Sequence, residues 1–256
     1  MNYVGIDIGS TASKTVIRGG RVESFTLPTG WNSRDTAESI RRELLGYGVD
    51  VEDPTVKVVA TGYGRISVDY ADKVITEITC HGRGGSTLAG GDCTVIDVGG
   101  QDTKVITVNK GSVTGFLMND KCSAGTGKFI EIMANRLGVT IEGMFDLAMR
   151  GTAIPISSMC TVFAESEVIS YIGEGRPRED IAAGAVDSVA SKVALLAGRH
   201  GLSGQVLLTG GLSGNAYFAD CLGKKLGQAV KFGEEGRYAG ALGAAILAEE
   251  RLGRNQ

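Results

Sequence analysis

Two octapeptides carry the chain's most evident chemistry. Asp7-Ile8-Gly9-Ser10-Thr11-Ala12-Ser13-Lys14 and Asp97-Val98-Gly99-Gly100-Gln101-Asp102-Thr103-Lys104 share Asp, Gly and Lys in register, at an offset of 90 residues. Each places a carboxylate at the end of a short apolar run and a glycine turn directly after it. Glycine turns at strand ends point backbone N–H groups at an anion with no side chain in the way, which is what phosphates require. The preceding carboxylate suits Mg2+, a hard cation that keeps waters alongside phosphate oxygens. A third turn, Thr209-Gly210-Gly211-Leu212-Ser213-Gly214-Asn215, follows the apolar run Gln205 to Leu208. None of the three has Walker A or G-x-G-x-x-G spacing. One such loop alone carries little weight; three in this order are strong together.

Two cysteines add a second chemistry. Cys122 lies in Asn119-Asp120-Lys121-Cys122-Ser123-Ala124-Gly125-Thr126-Gly127-Lys128-Phe129, and Cys160 in Ser157-Ser158-Met159-Cys160-Thr161-Val162-Phe163-Ala164-Glu165-Ser166-Glu167. Each falls near the start of a predicted helix, where unpaired N–H groups and the dipole favour a thiolate, either as ligand or as nucleophile. Two thiolates are fewer than the four that usually hold a [4Fe-4S] cluster. A two-fold dimer supplies the missing pair, because a residue near the axis meets its own copy. The chemistry alone leaves this reading open beside two ordinary buried cysteines. Cys93, just before a buried strand, and Cys221, inside a predicted helix, read as packing residues. Cys80 beside His81 reads as strand neighbours pointing apart and therefore not as a metal pair.

Composition bounds the rest. At about 150 residues per domain, 256 residues make one large domain or two small ones. The net charge of −3 and a pI near 5.5 argue against nucleic-acid binding, which needs clustered positive charge. The apolar runs, such as Gly240 to Ala248, fall short of the roughly 20 residues that cross a bilayer. Asp7 sits too early for the apolar stretch of a signal peptide. The expectation is a cytoplasmic protein with no membrane partner. Five cysteines without an export signal do not suggest a disulfide framework. The 39 glycines are about twice the usual share of roughly 7% and mark tight turns.

The elements that must position these groups follow from period and punctuation. Tyr3 to Asp7, Lys14 to Arg18, Arg21 to Leu27, Val56 to Thr61, Thr94 to Asp97 and Gln205 to Leu208 read as strands. Ser33 to Leu45 reads as a helix with Ser33 as N-cap and Ile40, Leu44 and Leu45 on one face. Further helices are expected over Phe129 to Leu137, Asp180 to Arg199, Ala216 to Leu226 and Gly240 to Arg251. The repeated octapeptide implies two related domains, each giving a strand-turn-strand loop to a shared cleft.

The three turns resemble those of the superfamily of acetate and sugar kinases, heat-shock chaperones and actin. That resemblance implies an α/β fold with two ribonuclease-H-like, actin-like ATPase domains around a nucleotide cleft that binds ATP or ADP with Mg2+. It assigns Gly9, Ser10, Thr11 and Lys14 to the first phosphate loop and Gly99, Gly100 and Gln101 to the second. Gly210, Gly211, Leu212 and Asn215 fall in the adenosine loop. Asp7 and Asp97 become the Mg2+ carboxylates, bound through water, and Gln101 or Asp102 orients the attacking water. Lys104 is as readily an exposed strand lysine as a phosphate contact. Residues 1–90 with about 236–256 would form the first domain and about 91–235 the second, with the glycine-rich helix at Ala239 to Ala244 as the hinge.

Lys121-Cys122-Ser123-Ala124-Gly125-Thr126-Gly127-Lys128-Phe129 and the Cys160 segment are more specific. They resemble the activator ATPases of 2-hydroxyacyl-CoA dehydratases, a family that includes the ATPase subunits of benzoyl-CoA reductase. The resemblance implies a homodimer with one [4Fe-4S] cluster between subunits, held by Cys122 and Cys160. It also implies ATP-coupled delivery of one electron to an acceptor iron-sulfur enzyme: a dehydratase, a reductase or a double-cubane protein. An upstream low-potential donor such as ferredoxin or flavodoxin would load it. The alternatives are a small-molecule kinase of the same superfamily without a cluster, and a chaperone- or actin-type interaction module.

Overall fold

The computed structural model describes residues 1–156 and 160–253, an α/β chain with two five-stranded sheets. It separates into two compact units, Met1–Val95 with Ile106–Phe116 and Glu235–Gln256, and Ile96–Val105 with Leu117–Glu234.

The first sheet contains β1 (Asn2–Ile8), β2 (Ala12–Arg18), β3 (Val22–Pro28), β4 (Val56–Gly62) and β5 (Lys73–Val74), in the order β3-β2-β1-β4-β5. β1 runs antiparallel to β2 and parallel to β4, and its register sets Asp7 beside Lys14 on one side and Thr61 on the other. Val4, Ile6 and Ile8 of this central strand pack on Ile40 and Leu44 of helix α1 (Ser33–Gly46). Each such fully buried side chain is worth about 1.5–3 kcal/mol over exposure. The cap of α1 is Asn32, not Ser33: its side chain accepts from the Asp35 amide at 2.9 Å. Leu45 points away from the core and is exposed, since it follows Leu44 around the turn.

Two further helices of this unit, α2 (Glu77–Ala89) and α8 (Ala239–Leu252), pack almost backbone to backbone. A Cβ added at Gly84 would lie 1.9 Å from the Ala239 carbonyl oxygen, and one at Gly243 would lie 1.8 Å from that of Cys80. α2 has no counterpart in the sequence-based expectations. Its buried face is made of Cys80, His81, Gly82, Gly84, Gly85 and Ser86, so no apolar period announces it. Cys80 and His81 are therefore helix neighbours and not strand neighbours. Trp31 sits on a loop with 96% of its surface exposed.

The other sheet contains β6 (Cys93–Val98), β7 (Thr103–Asn109), β8 (Ser112–Asn119), β9 (Gln205–Gly210) and β10 (Val230–Lys231), in the order β10-β9-β6-β7-β8. Counted from its own first strand, this is the order of the first sheet, so the repeat extends from the octapeptide to the topology. The second unit carries α3 (Gly127–Leu137), α4 (Ile141–Ala148), α5 (Thr161–Gly173), α6 (Arg178–His200) and α7 (Ala216–Leu226). Ile96, Val98, Phe129, Met133, Val189 and Phe218 belong to its core. Among the described residues α6 alone is long and apolar enough to cross a bilayer, which the apolar runs weighed in the sequence do not anticipate. Its Ile181, Val186, Val189 and Val193 are instead buried in this core.

Candidate functional site

The first acid-glycine turn is built around a buried carboxylate. Asp7 ends β1 at 4% exposure, where its neighbours leave no room for larger residues. A Cβ at Gly62 would lie 2.4 Å from Asp7 Oδ1, and one at Gly240 would lie 2.5 Å from Oδ2. His81 Nε2 stands 3.8 Å from Asp7 Oδ2 and 3.7 Å from Glu77 Oε1, so the buried imidazole sits between two carboxylates. Lys14 folds back over the turn, with Nζ 3.4 Å from where a Gly9 Cβ would be. Thr29 Oγ1 donates to the Gly9 carbonyl at 2.8 Å and fixes the turn from β3's far end. Ser10 is half-buried and Thr11 exposed. His81, set aside in the sequence as a strand neighbour of Cys80, gains this place because both stand on a helix that was not legible.

The second turn is more tightly tied. Asp97 Oδ1 accepts from Thr209 Oγ1 at 2.8 Å, and Lys104 Nζ lies 3.5 Å from Asp97 Oδ2. Lys104 also pairs with Asp102 at 2.8 Å and is 2% exposed, which overturns the exposed strand-lysine reading. Asp102 is buried against this ammonium, whereas the neighbouring Gln101 is exposed. The Gly99 amide donates to the Asp102 carbonyl at 2.9 Å and closes the turn.

The third turn meets the second. Gly210 has φ +88°, and a Cβ there would lie 2.3 Å from the Val98 carbonyl oxygen, so only glycine fits. Thr61-Gly62 repeats this arrangement in the first unit: Gly62 has φ +84°, and its Cβ would lie 2.5 Å from the Ile8 carbonyl oxygen. The shared Thr-Gly pair that ends β4 and β9 was present in the sequence without being matched. Leu212 is buried, and Asn215 caps α7 by accepting from the Phe218 amide at 2.8 Å. Gly211 faces open space.

The cysteine segments join the second turn directly. Gly127 and Lys128 amides, at the start of α3, donate to the Gly99 and Gly100 carbonyls, both at 2.9 Å. Thr103 Oγ1 donates to the Gly125 carbonyl at 2.7 Å. Upstream of these, Cys122 is half-buried, and Asn119 Nδ2 donates to its carbonyl at 3.1 Å. Cys160 is exposed and caps the N-terminus of α5. Ser123 Oγ and Thr161 Oγ1 are hydrogen-bonded at 2.9 Å, which holds the two cysteine segments together. Ser157, Ser158 and Met159 of the second segment lie outside the described residues.

Cys122 is thus half-buried and Cys160 exposed, on segments that the Ser123–Thr161 hydrogen bond ties together. This donor set fits half of a four-thiolate metal group. Asp7 and Asp97 are each a buried carboxylate followed by a glycine turn, and carboxylate oxygen is the kind of donor that Mg2+ selects. Cys80 and Cys93 are fully buried, and burial pushes the first thiol up to about 12 and the second up to about 11; burial also raises the half-buried Cys221.

Residues 4–248 match the BadF/BadG/BcrA/BcrD ATPase family. The (R)-2-hydroxyglutaryl-CoA dehydratase activating ATPase of Acidaminococcus fermentans is 43% identical over 256 residues, covering 98% of each chain. The crystal structure of the A. fermentans (R)-2-hydroxyglutaryl-CoA dehydratase component A superposes with TM-score 0.93 at 42% identity, covering 99% of this chain and 100% of that one. The activator of the 2-hydroxyisocaproyl-CoA dehydratase from Clostridium difficile, with bound ADPNP, superposes with TM-score 0.91 at 38% identity, covering 100% of this chain and 98% of that one. The fold is that of the actin-like ATPases, and the chain belongs to the BadF/BadG/BcrA/BcrD ATPase family.

Proposed function

We propose that this protein is an ATP-dependent reductase activator, which couples ATP hydrolysis to one-electron delivery from a [4Fe-4S] group held by Cys122 and Cys160 and shared across a homodimer. The observation that carries the reading is the set of hydrogen bonds that links a phosphate-type turn to the segments carrying both cysteines. Gly99, Gly100 and Thr103 bond to residues 125–128, and Ser123 bonds to Thr161 beside Cys160. A nucleotide that shifts the second turn must therefore displace the segment carrying Cys122. When bound, the cluster supplies low-potential one-electron chemistry.

The chain's own residues divide the remaining work. Asp7 and Asp97 would hold Mg2+, and the amides of the turns at Gly9 to Thr11, Gly99 to Gln101 and Gly210 to Gly211 would hold ATP, with Lys14 meeting the phosphates. Gln101 orients the attacking water, because Asp102 is committed to Lys104. A low-potential donor such as ferredoxin or flavodoxin loads the protein. The acceptor is a dehydratase, reductase or double-cubane iron-sulfur enzyme, and the setting is the cytoplasm of an anaerobic cell.

The test is iron and sulfide content with a native mass on anaerobically purified protein, alongside Cys122→Ser and Cys160→Ser. About four irons per dimer, lost in both variants, is expected. An iron-free wild type that still hydrolyses ATP after reconstitution with iron and sulfide overturns the redox reading and leaves a kinase-like or interaction ATPase.

A further inference from the structure

Glu77 and His81 stand four residues apart on α2, the spacing that sets two side chains on one helix face. That face meets the end of β1. His81 Nε2 lies 3.8 Å from Asp7 Oδ2 and 3.7 Å from Glu77 Oε1, so one imidazole nitrogen and two carboxylate oxygens converge from two elements of the first unit. Both separations exceed a hydrogen bond. They suit two atoms that share one ion, because ligands held at about 2.0–2.2 Å from a metal lie up to about 4 Å apart. The Asp7 and His81 side chains are 5% exposed and that of Glu77 is 21% exposed. Carboxylates at such depth are paired or coordinate a metal.

Gly240, in the first turn of α8, makes an independent case. A Cβ there would stand 2.5 Å from Asp7 Oδ2 and 2.8 Å from His81 Nε2, the same two donor atoms. Glycine thus keeps their flank clear and leaves a cradle that any side chain would fill. The elements around it are tightly fixed. α2 meets α8 backbone to backbone, and a Cβ at Gly5 of β1 would lie 2.0 Å from the Ala241 carbonyl oxygen of α8. Donors carried on rigid elements keep their mutual geometry.

We propose that Asp7, Glu77 and His81 form a mixed nitrogen and oxygen site for a divalent first-row transition ion. The inference rests on the reading of Asp7 as a cation carboxylate and is independent of the cysteines. It gives the ion a different chemistry from the one that carboxylates alone would select. Mg2+ takes oxygen ligands and keeps its waters, whereas imidazole favours transition ions. The chain's other histidine is His200, so a nitrogen-ligated ion can be assigned to its residue by one substitution.

The experiment titrates metal-stripped, nucleotide-free protein with Mn2+, an ion that prefers carboxylate to thiolate. Electron paramagnetic resonance counts the free ion, and electron spin echo envelope modulation detects nitrogen bound to the held ion. About one Mn2+ per chain is expected, with nitrogen coupling, and Mg2+ in about tenfold excess should leave most of it in place. His81→Gln should weaken binding by about tenfold or more and abolish the nitrogen coupling. Glu77→Gln, at the less buried position, should weaken binding by about tenfold and keep the coupling. Held Mn2+ without nitrogen coupling overturns the proposal, as does unchanged affinity in both variants. Mn2+ that binds only together with ATP and shows no such coupling also overturns it, while leaving Asp7 as an ordinary Mg2+ carboxylate. Nitrogen-coupled Mn2+ in a protein that hydrolyses no ATP upholds the site and removes the ATPase reading instead.

Discussion

Ser123 Oγ and Thr161 Oγ1 lie 2.9 Å apart, and each belongs to the residue that directly follows a candidate ligand cysteine. The pair is a short strap between two segments that arrive from different helices. α3 and α5 are joined again farther along by an ion pair between Arg136 and Glu165. The two cysteine segments are thereby tied to each other at two points within the second unit.

Removing the strap should loosen the thiol pair without touching the nucleotide turns. Ser123→Ala is expected to cost about 1 kcal/mol of stability, the usual net worth of one hydrogen bond. Iron should pass faster to a chelator while the ATPase rate stays within a factor of about two. Chelation kinetics and thermal unfolding of the same samples check this.

Thr103 offers a test of coupling. Its buried hydroxyl donates to the Gly125 carbonyl at 2.7 Å, on the route between the second turn and Cys122. Thr103→Val keeps the shape and removes the donor. It should leave ATP hydrolysis measurable but abolish any nucleotide-dependent change in the alkylation rate of Cys122. Persistence of that change at wild-type size would show that the signal travels by another route.

Gln101 and Asp102 should separate by the kind of loss they cause. Gln101 is exposed, so Gln101→Ala should lower kcat by about 10²-fold with little change in melting temperature. Asp102 is buried against Lys104, so Asp102→Asn weakens a buried ion pair and should cost up to about 3–5 kcal/mol. Steady-state kinetics beside calorimetry distinguish the two.

Gly240 is where the first turn is least forgiving. Gly240→Ala would drive a methyl to 2.5 Å from Asp7 Oδ2 and 2.8 Å from His81 Nε2. Overpacking of this kind costs about 1–3 kcal/mol. The displaced carboxylate should also raise the Mg2+ concentration needed for half-maximal ATPase. An unchanged Mg2+ titration in a folded Gly240→Ala protein would remove Asp7 from the cation's shell.

Thiol labelling of metal-free protein should divide the cysteines by environment. At pH 8, Cys122 and Cys160 should react readily, whereas Cys80 and Cys93 are fully buried and raised to about 12 and about 11. These two should label only on unfolding. Mass spectrometry of the labelled peptides, before and after denaturant, provides the check.

The sequence by itself determined the parts that repeat or alternate. The acid-glycine octapeptides at Asp7 and Asp97, the strands that lead into them and the cysteine segments at Cys122 and Cys160 were legible, because turn chemistry and strand period are local properties. Tertiary structure alone decided the rest. α2 was silent in sequence because its buried face is glycine, serine, cysteine and histidine, chosen for close approach to α8 and not for apolar area. The burial of Lys104 between Asp97 and Asp102, the placement of His81 between Asp7 and Glu77, and the seat of the Lys192 ammonium on the Phe129 ring are long-range pairings or depend on depth. No residue type or spacing encodes such contacts. They exist only once the sheets and helices have set which side chains share the same small volume.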